Sequence, residues 1–298
     1  MRWDDSISDF ENYLKFERNL SQNTVAAYRR DVVKLKNLAE DTSPETLSYE
    51  QLQEILYRLS REGLGERTQA RWISSVKTFF KWMLEEDFRS DNPSALLETP
   101  KLGKYLPDTL SFNEIEKMIA AIDRSEPTGE RNRCIVEVLY GCGLRVSELV
   151  NLKISDINFK ENYIRVLGKG SKIRLVPLAD FTAEVITAYK TGARAAGIIQ
   201  ANFEDFLFLN RNGRPLTRNM VFIIIKNLAA QAGIRKNISP HTFRHSYATH
   251  LLQNGADLRF IQEMLGHSSI TTTEIYTHLQ TRELRDAILN CHPRNKKI

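Results

Sequence analysis

From residue 7 to residue 87 the apolar residues recur at intervals of three and four in four successive runs, "ISDFENYLKFERNL", "SQNTVAAYRRDVVKLKNLAE", "SYEQLQEILYRLSREG" and "RTQARWISSVKTFFKWMLEED". No part of this stretch alternates at the two-residue spacing of a half-buried strand, so the first hundred residues carry helical signals alone. Ser21 reads as the N-cap of the second helix and Gly63 as the stop of the third. The next segment, "DNPSALLETPKLGKYLPDTLS", has three prolines, a glycine and no clean periodicity. It predicts a linker over 91–110 with the boundary near residue 105, separating a helical domain over 1–90 from a second domain over 111–298.

The second half is mixed. Helical spacing at 111–123 and 129–140 precedes "ISDINFKENYIRVLGKGSKIRLVPL", whose β-branched runs are broken by a polar "KEN" and a Gly-rich "GKGSK". That pattern predicts a small antiparallel sheet of three strands with Lys169 at its second turn. From about residue 180 the spacing returns to helix. The expected fold class is mainly α with a small antiparallel β-sheet, in two domains: one all-helical and one α+β.

Charge divides along the same boundary. Residues 1–105 hold 16 Lys and Arg against 18 Asp and Glu, whereas 106–298 hold 26 against 19, so the net charge of +5 comes from the second half. A basic excess there suits a polyanionic partner. The acidic start "MRWDDSISDF" does not resemble a secretory signal, and the longest apolar run, "VFIII", is too short to cross a bilayer. Cys134, Cys142 and Cys291 are odd in number and lack C-x-x-C spacing, which fits a reducing, cytoplasmic compartment.

The chemistry-bearing residues gather near the C-terminus. In "SPHTFRHSYATHLLQNG" Ser239 reads as an N-cap, Pro240 as the first helical residue and Asn254-Gly255 as the stop, with Phe243, Tyr247 and Leu251 facing the core. His241 and Arg244, three apart, are expected to meet. The next helix, "DLRFIQEML", ends at Gly266 and delivers His267, and "TTTE" reads as a capping box opening the helix that bears Tyr276. All six histidines lie between 241 and 292. His241 and His245 have the spacing of a zinc helix, but Thr242 stands where the general-base glutamate belongs and no later glutamate is placed as a third ligand, so no metal or cofactor is expected. His245 and His250 read as structural hydrogen-bonders, and His278 and His292 as surface residues.

Phosphoryl transfer without a metal fits these residue types better. It needs cations on the non-bridging oxygens, a nucleophile and proton carriers. Arginine binds phosphate through two parallel bonds and keeps its charge, while a tyrosine hydroxyl, ordinarily of pKa about 10, needs an assisting base such as histidine. Other readings stay open residue by residue: Arg145 could pair with Glu148 one turn on, Lys169 could be solvated with Lys172 as its competitor, and Tyr276 could be a core aromatic.

Five successive segments, "CGLRVSEL", "GKGSKIRLVPL", "SPHTFRHSYATHLL", "LGHSS" and "TTTEIYTHL", resemble in order the boxes of the tyrosine recombinases. "LSQNTVAAYRRDV", "NPSALLETPKLGKYLP" and the final "HPR" resemble the Xer branch, nearer its XerD than its XerC type. The resemblance implies an all-helical SAM-like core-binding domain and an α+β catalytic domain. It implies that Arg145 and Arg244 clamp a scissile phosphate, Lys169 protonates the leaving 5′-oxygen, His241 serves as general base toward Tyr276, His267 hydrogen-bonds the phosphate, and Glu148 orients the site. Tyr276 would form a 3′-phosphotyrosyl bond. Arg29, Arg30, Arg67, Arg71, Lys77 and Lys172 are the DNA-contact candidates; Lys77 stands where the family often has arginine, which weakens bidentate reading of guanine.

The partners implied are a double-stranded recombination site and a paired recombinase in a heterotetramer, or a homotetramer on DNA, with a DNA translocase as a further candidate. Leu284, Ala287, Ile288 and Cys291 form a short apolar stripe at helical spacing, able to dock in a groove; the resemblance implies that such a helix is exchanged between neighbouring subunits, and packing on its own domain is the alternative, since a periodic stripe does not name its partner. The competing readings are an integrase of a mobile element, a type IB topoisomerase and a non-catalytic DNA-binding regulator. The first is disfavoured because the chain opens almost directly on the core-binding helices.

Overall fold

The computed structural model describes residues 2–100, 108–168, 173–266 and 286–295. The chain divides into two compact units, Met1–Tyr105 and Leu106–Ile298. Among the described residues no helix is long and apolar enough to cross a membrane.

Unit 1 is built from α1 (Trp3–Phe16), α2 (Gln22–Leu38), α3 (Tyr49–Arg61) and α4 (Glu66–Glu85). Local chemistry sets their ends. Ser21 Oγ accepts the Thr24 N–H, Ser48 and Gln51 form a reciprocal capping box, and Gly63 takes the left-handed conformation after α3, where a side chain would be strained. The apolar stripes close on an aromatic core in which the Phe10 and Phe79 rings meet edge to face at 5.2 Å. A buried carboxylate sits here: Asp31 accepts from Ser75 Oγ at 2.7 Å and from Arg71.

Unit 2 is organised around α6 (Gly129–Cys142), whose last nine residues are all buried. Against it pack α8 (Asp180–Thr191) and α11 (Pro240–Gln253). Phe243, Tyr247 and Leu251, spaced by four, are fully buried on the inner face of α11. The remaining helices are α5 (Phe112–Ala120), α7 (Val146–Val150), α9 (Ala193–Ala196), α10 (Arg218–Gln231) and α12 (Leu258–Leu265). The sheet is antiparallel, ordered β1 (Ile157–Asn158), β2 (Tyr163–Leu167), β3 (Ile173–Pro177), with Ile164 opposite Val176 and Val166 opposite Arg174. Asn162 turns the chain between β1 and β2 at φ 54°, a conformation asparagine tolerates. The expected helical continuation fails over 200–217, where the chain makes a turn instead. Asn210 Oδ1 accepts the N–H of Asn212 and of Arg214, Leu209 bridges to Pro215, and Gly213 adopts φ 74° within reach of the Ile198 carbonyl.

The tail corrects another expectation. His292 is not at the surface but fully buried. Its Nε2–H donates to the Tyr140 carbonyl at 3.3 Å and its Nδ1 accepts the Arg294 N–H, which defines the neutral tautomer. Ile288 is buried in the core of its own unit, and Asn254 Nδ2 donates to the Cys291 carbonyl at 2.8 Å. Leu284, the first residue of the apolar stripe, lies outside the described residues.

Burial lowers the His292 pKa from 6.5 to about 3. Below pH 6.5 the unfolded chain therefore takes up a proton that the folded chain refuses, so this stability is complete above that pH and is lost as the pH falls toward 3. The thermal midpoint should fall between pH 7 and 5 more steeply for the wild type than for His292→Gln, which keeps an N–H donor but cannot charge. Parallel curves would remove His292 as the source.

Candidate active site

Three helix ends meet in unit 2. Helix α6 stops at Gly143, which sits at φ 57° with the Tyr247 ring 2.6 Å from where a Cβ would stand, so both conformation and space demand glycine. The chain then turns at once into α7. Glu148, in the first turn of that helix, reaches back to accept the Arg145 backbone N–H at 2.7 Å, and its other oxygen accepts from Arg145 Nη1 at 2.9 Å. The pairing read from their spacing is therefore present, and it fixes the fork of Arg145 instead of consuming it, because the side chain remains 32% exposed.

The second end belongs to α11, where Pro240 opens the helix behind a Ser239–Thr242 capping box. Arg244 turns inward from it. Its Nη1 donates to the Gly143 carbonyl at 2.7 Å, its Nη2 donates to the Leu265 carbonyl, and Nη1 stands 4.0 Å from Glu148 Oε2. His241, on the same turn, is exposed, and no hydrogen bond joins it to Arg244. The expected contact between these two side chains does not form because they leave α11 toward opposite environments. His245 is exposed and bonds nothing among the described residues, while His250 Nδ1 meets Tyr140 Oη at 2.8 Å.

The third end is the C-terminus of α12, closed by Gly266 at φ 62°. Its last carbonyls lack helical partners and carry the negative end of the helix dipole. Three arginines fill that role in succession: Arg174 Nε donates to Met264 O at 2.9 Å, Arg244 Nη2 to Leu265 O, and Arg145 Nη2 to Gly266 O at 3.3 Å. His267 follows directly in the sequence. His267, Tyr276, Lys169 and Lys172 lie outside the described residues.

Arg174 is absent from the sequence reading. It occupies the inward face of β3 with Val176, only 5% exposed, and makes a two-pronged bond to Glu148 at 2.7 and 2.8 Å. The strand alternation held the signal, since an arginine on the core face of a half-buried strand has to find a buried partner. Burial alone would raise the Glu148 pKa; the Arg174 guanidinium and then the Arg145 N–H groups outweigh it and hold the carboxyl below its usual range. Arg244 is lowered to about 10 by burial and by the charges of Arg145 and Arg174, with Glu148 opposing, and so stays cationic at neutral pH. Three guanidinium ions around one carboxylate leave a net charge of +2. A phosphodiester carries one negative charge and its five-coordinate transition state two, so the cluster's charge matches the transition state better than the ground state.

The DNA-contact candidates of unit 1 have mixed surroundings. Arg29, Arg30, Arg67 and Arg71 are exposed and Lys77 is half-buried. Arg29 pairs with Glu11 at 3.2 Å, Arg30 bonds the Ala26 carbonyl of its own helix, Arg71 is steered by Asp31, and Lys77 Nζ donates to the Ala95 carbonyl at 3.2 Å.

Comparison with known proteins bears on the whole chain. Residues 108–283 match the phage integrase family and residues 7–87 match the phage integrase N-terminal SAM-like domain. The tyrosine recombinase XerD of Oceanobacillus iheyensis is 42% identical over 293 residues, covering 97% of this chain and 98% of that one. The Listeria monocytogenes tyrosine recombinase XerD is 41% identical over 294 residues, covering 97% and 99%. Among solved structures, XerH site-specific recombinase bound to a palindromic difH substrate is 26% identical with a TM-score of 0.69, covering 95% and 84%. A lambda integrase dimer bound to a core site, 20% identical with a TM-score of 0.73, shares the fold.

Proposed function

Since the chain belongs to the phage integrase family and is a tyrosine site-specific recombinase, we propose that the arginine cluster of unit 2 holds the scissile phosphate of a duplex DNA site and that Tyr276 attacks it. The observation that supports this reading is the convergence of Arg145 and Arg244, from separate elements, on Glu148 and on the end of α12. In the proposed step the Tyr276 oxygen bonds to phosphorus and the bond to the 5′-oxygen breaks, leaving a 3′-phosphotyrosyl bond and a 5′-hydroxyl. His241 takes the tyrosyl proton, Lys169 supplies one to the leaving oxygen, and His267 donates to the phosphate. Attack by a 5′-hydroxyl reverses the sequence on a new strand, so the bond energy is kept and neither ATP nor a metal is consumed.

The biological setting proposed is chromosome-dimer resolution in the cytoplasm during cell division, on a tetramer formed with a paired recombinase and activated by a DNA translocase. Exchange of tails between its subunits would first have to detach Ile288 and Arg294 from their own unit. The unit 1 arginines and Lys77 are proposed to contact phosphates, and Lys172 is the alternative to Lys169.

Tyr276→Phe should bind the specific site with near-normal affinity yet form no covalent adduct on a nicked suicide duplex; an adduct with this variant would overturn the assignment. Lys169→Ala should be slow on ordinary DNA and rescued when sulfur replaces the bridging 5′-oxygen, because a thiolate leaves without a proton. Rescue of Lys172→Ala in its place would move the acid to that lysine.

A further inference from the structure

Arg174 is too deeply buried to touch DNA, yet it is bonded to both halves of the cluster that the proposed function places on the phosphate. It is 5% exposed, its two Nη atoms take one oxygen each of Glu148, and its Nε takes the Met264 carbonyl. The would-be Cβ of Gly266 lies 3.1 Å from Arg174 Cδ, so the end of α12 rests directly on this side chain. Glu148 in turn is the only acidic group within ion-pair distance of Arg145 among the described residues, and the nearest to Arg244, at 4.0 Å.

We infer that Arg174 is a positioning residue of the recombination reaction: by clamping both oxygens of Glu148 and by holding the Met264 carbonyl, it fixes the carboxylate and keeps the Arg145 fork aimed. This role rests on the assignment of Arg145, Glu148 and Arg244 to the active site. Its physical core is a contest over one buried carboxylate. Glu148 has a side chain 5% exposed, and burial favours its neutral form, which would accept fewer hydrogen bonds and leave Arg145 without its counter-charge. The strongest opposing influence is the two-pronged bond from Arg174. Arg145 itself cannot replace it, because that fork has to be shared with the substrate. Arg174 also comes from β3, directly after the 169–172 segment that carries the proposed acid Lys169, so the clamp ties that strand to the arginines of α7 and α11 through one carboxylate.

The groups facing this carboxylate are Arg145 from the start of α7, Arg174 from β3 and Arg244 from α11, with the carbonyls of α12 behind the guanidinium ions. A guanidinium is a fixed positive charge throughout the neutral range. An acid dependence that a change at Arg174 adds to the one wild type already has from its proposed base His241 would therefore belong to Glu148.

The experiment measures single-turnover adduct formation on a nicked suicide duplex from pH 5 to 8.5, with site binding measured in parallel, for wild type, Arg174→Gln, Arg174→Lys, Glu148→Gln and Arg174→Gln/Glu148→Gln. Arg174→Gln is expected to bind within about twofold of wild type, to cleave at least tenfold more slowly, and to lose rate more steeply than wild type as the pH falls, beyond the acid dependence that the proposed base His241 gives both proteins. Arg174→Lys should return the acid dependence to that of wild type by restoring the charge while recovering only part of the rate, because an ammonium cannot grip both oxygens. The double variant should be no slower than Glu148→Gln alone, since the two act as one unit. If Arg174→Gln does not fold, Arg174→Lys decides by the same comparison, through a rate deficit that vanishes in the Glu148→Gln background. A wild-type rate, an unchanged pH profile, or multiplicative losses would overturn the inference. Arg145→Ala separates the levels: if it still forms the adduct, the active-site assignment itself fails, whereas an inactive Arg145→Ala beside a wild-type-like Arg174→Gln sinks only the role of Arg174.

Discussion

Arg244→Lys is expected to lower covalent adduct formation by about 10²–10³-fold, corresponding to roughly 3 kcal/mol for one lost charge-stabilising donor pair, while site binding changes little. The wild-type guanidinium donates from one Nη to Gly143 and from the other to Leu265, and a guanidinium has five N–H groups, so donors remain for the proposed phosphate contact. An ammonium has three donors around a single nitrogen and cannot satisfy two carbonyls from different elements and a phosphate together. It also faces the same burial and the same charges on Arg145 and Arg174 that bring Arg244 down to about 10. A lysine starts from a lower ordinary value and is pushed down in the same direction, so residual activity of the variant should decline further as the pH rises above neutrality. Arg145→Lys should fail for a related reason, since its fork holds Glu148 and the Gly266 carbonyl at once. Single-turnover cleavage near the wild-type rate in both variants would assign the arginines to structure alone.

Arg294→Ala is expected to destabilise unit 2 by about 3–5 kcal/mol, the usual penalty for leaving a buried charge without its partner. Glu137 lies fully buried on α6 and is bonded by Arg294 through Nε at 3.0 Å and through Nη2. Burial holds the Glu137 carboxyl above its usual range in spite of that guanidinium, so removing Arg294 should drive it to bind a proton. Glu116, the second acidic partner, is 43% exposed and contributes little to the loss. Packing adds to it, since the guanidinium carbon stands 4.8 Å from the Phe181 ring centre and 5.7 Å from that of Phe112. Urea unfolding followed by circular dichroism measures the effect. Fluorescence serves as an internal control, because all three tryptophans, Trp3, Trp72 and Trp82, belong to unit 1. Glu137→Leu in the Arg294→Ala background should recover most of the stability, as the uncompensated charge then disappears. A loss below about 1 kcal/mol in the single variant would mean that the carboxyl is already neutral or reached by water.

The four helices of unit 1, the three-stranded sheet and the caps at Ser21, Ser239 and Gly266 were all legible from the order of residues. So was the Arg145–Glu148 pair. Each depends on neighbours within one or two turns, where periodicity and capping act through the chain itself. The tertiary structure alone decided where the buried charges find their partners. Arg174 reaches Glu148 across 26 residues and Met264 across 90, Arg244 reaches Gly143 across 101, and Arg294 reaches Glu137 across 157. Hydrophobic burial has no direction, so an apolar stripe does not say which other stripe will cover it or which buried ion will arrive beside it. For the same reason His292 could be read as a surface residue until the tail's own packing placed it against Tyr140. The sequence by itself determined which side chains could carry phosphoryl-transfer chemistry; only the packing of α6, α7, α11 and α12 on β3 determined that three arginines share one carboxylate and one helix end.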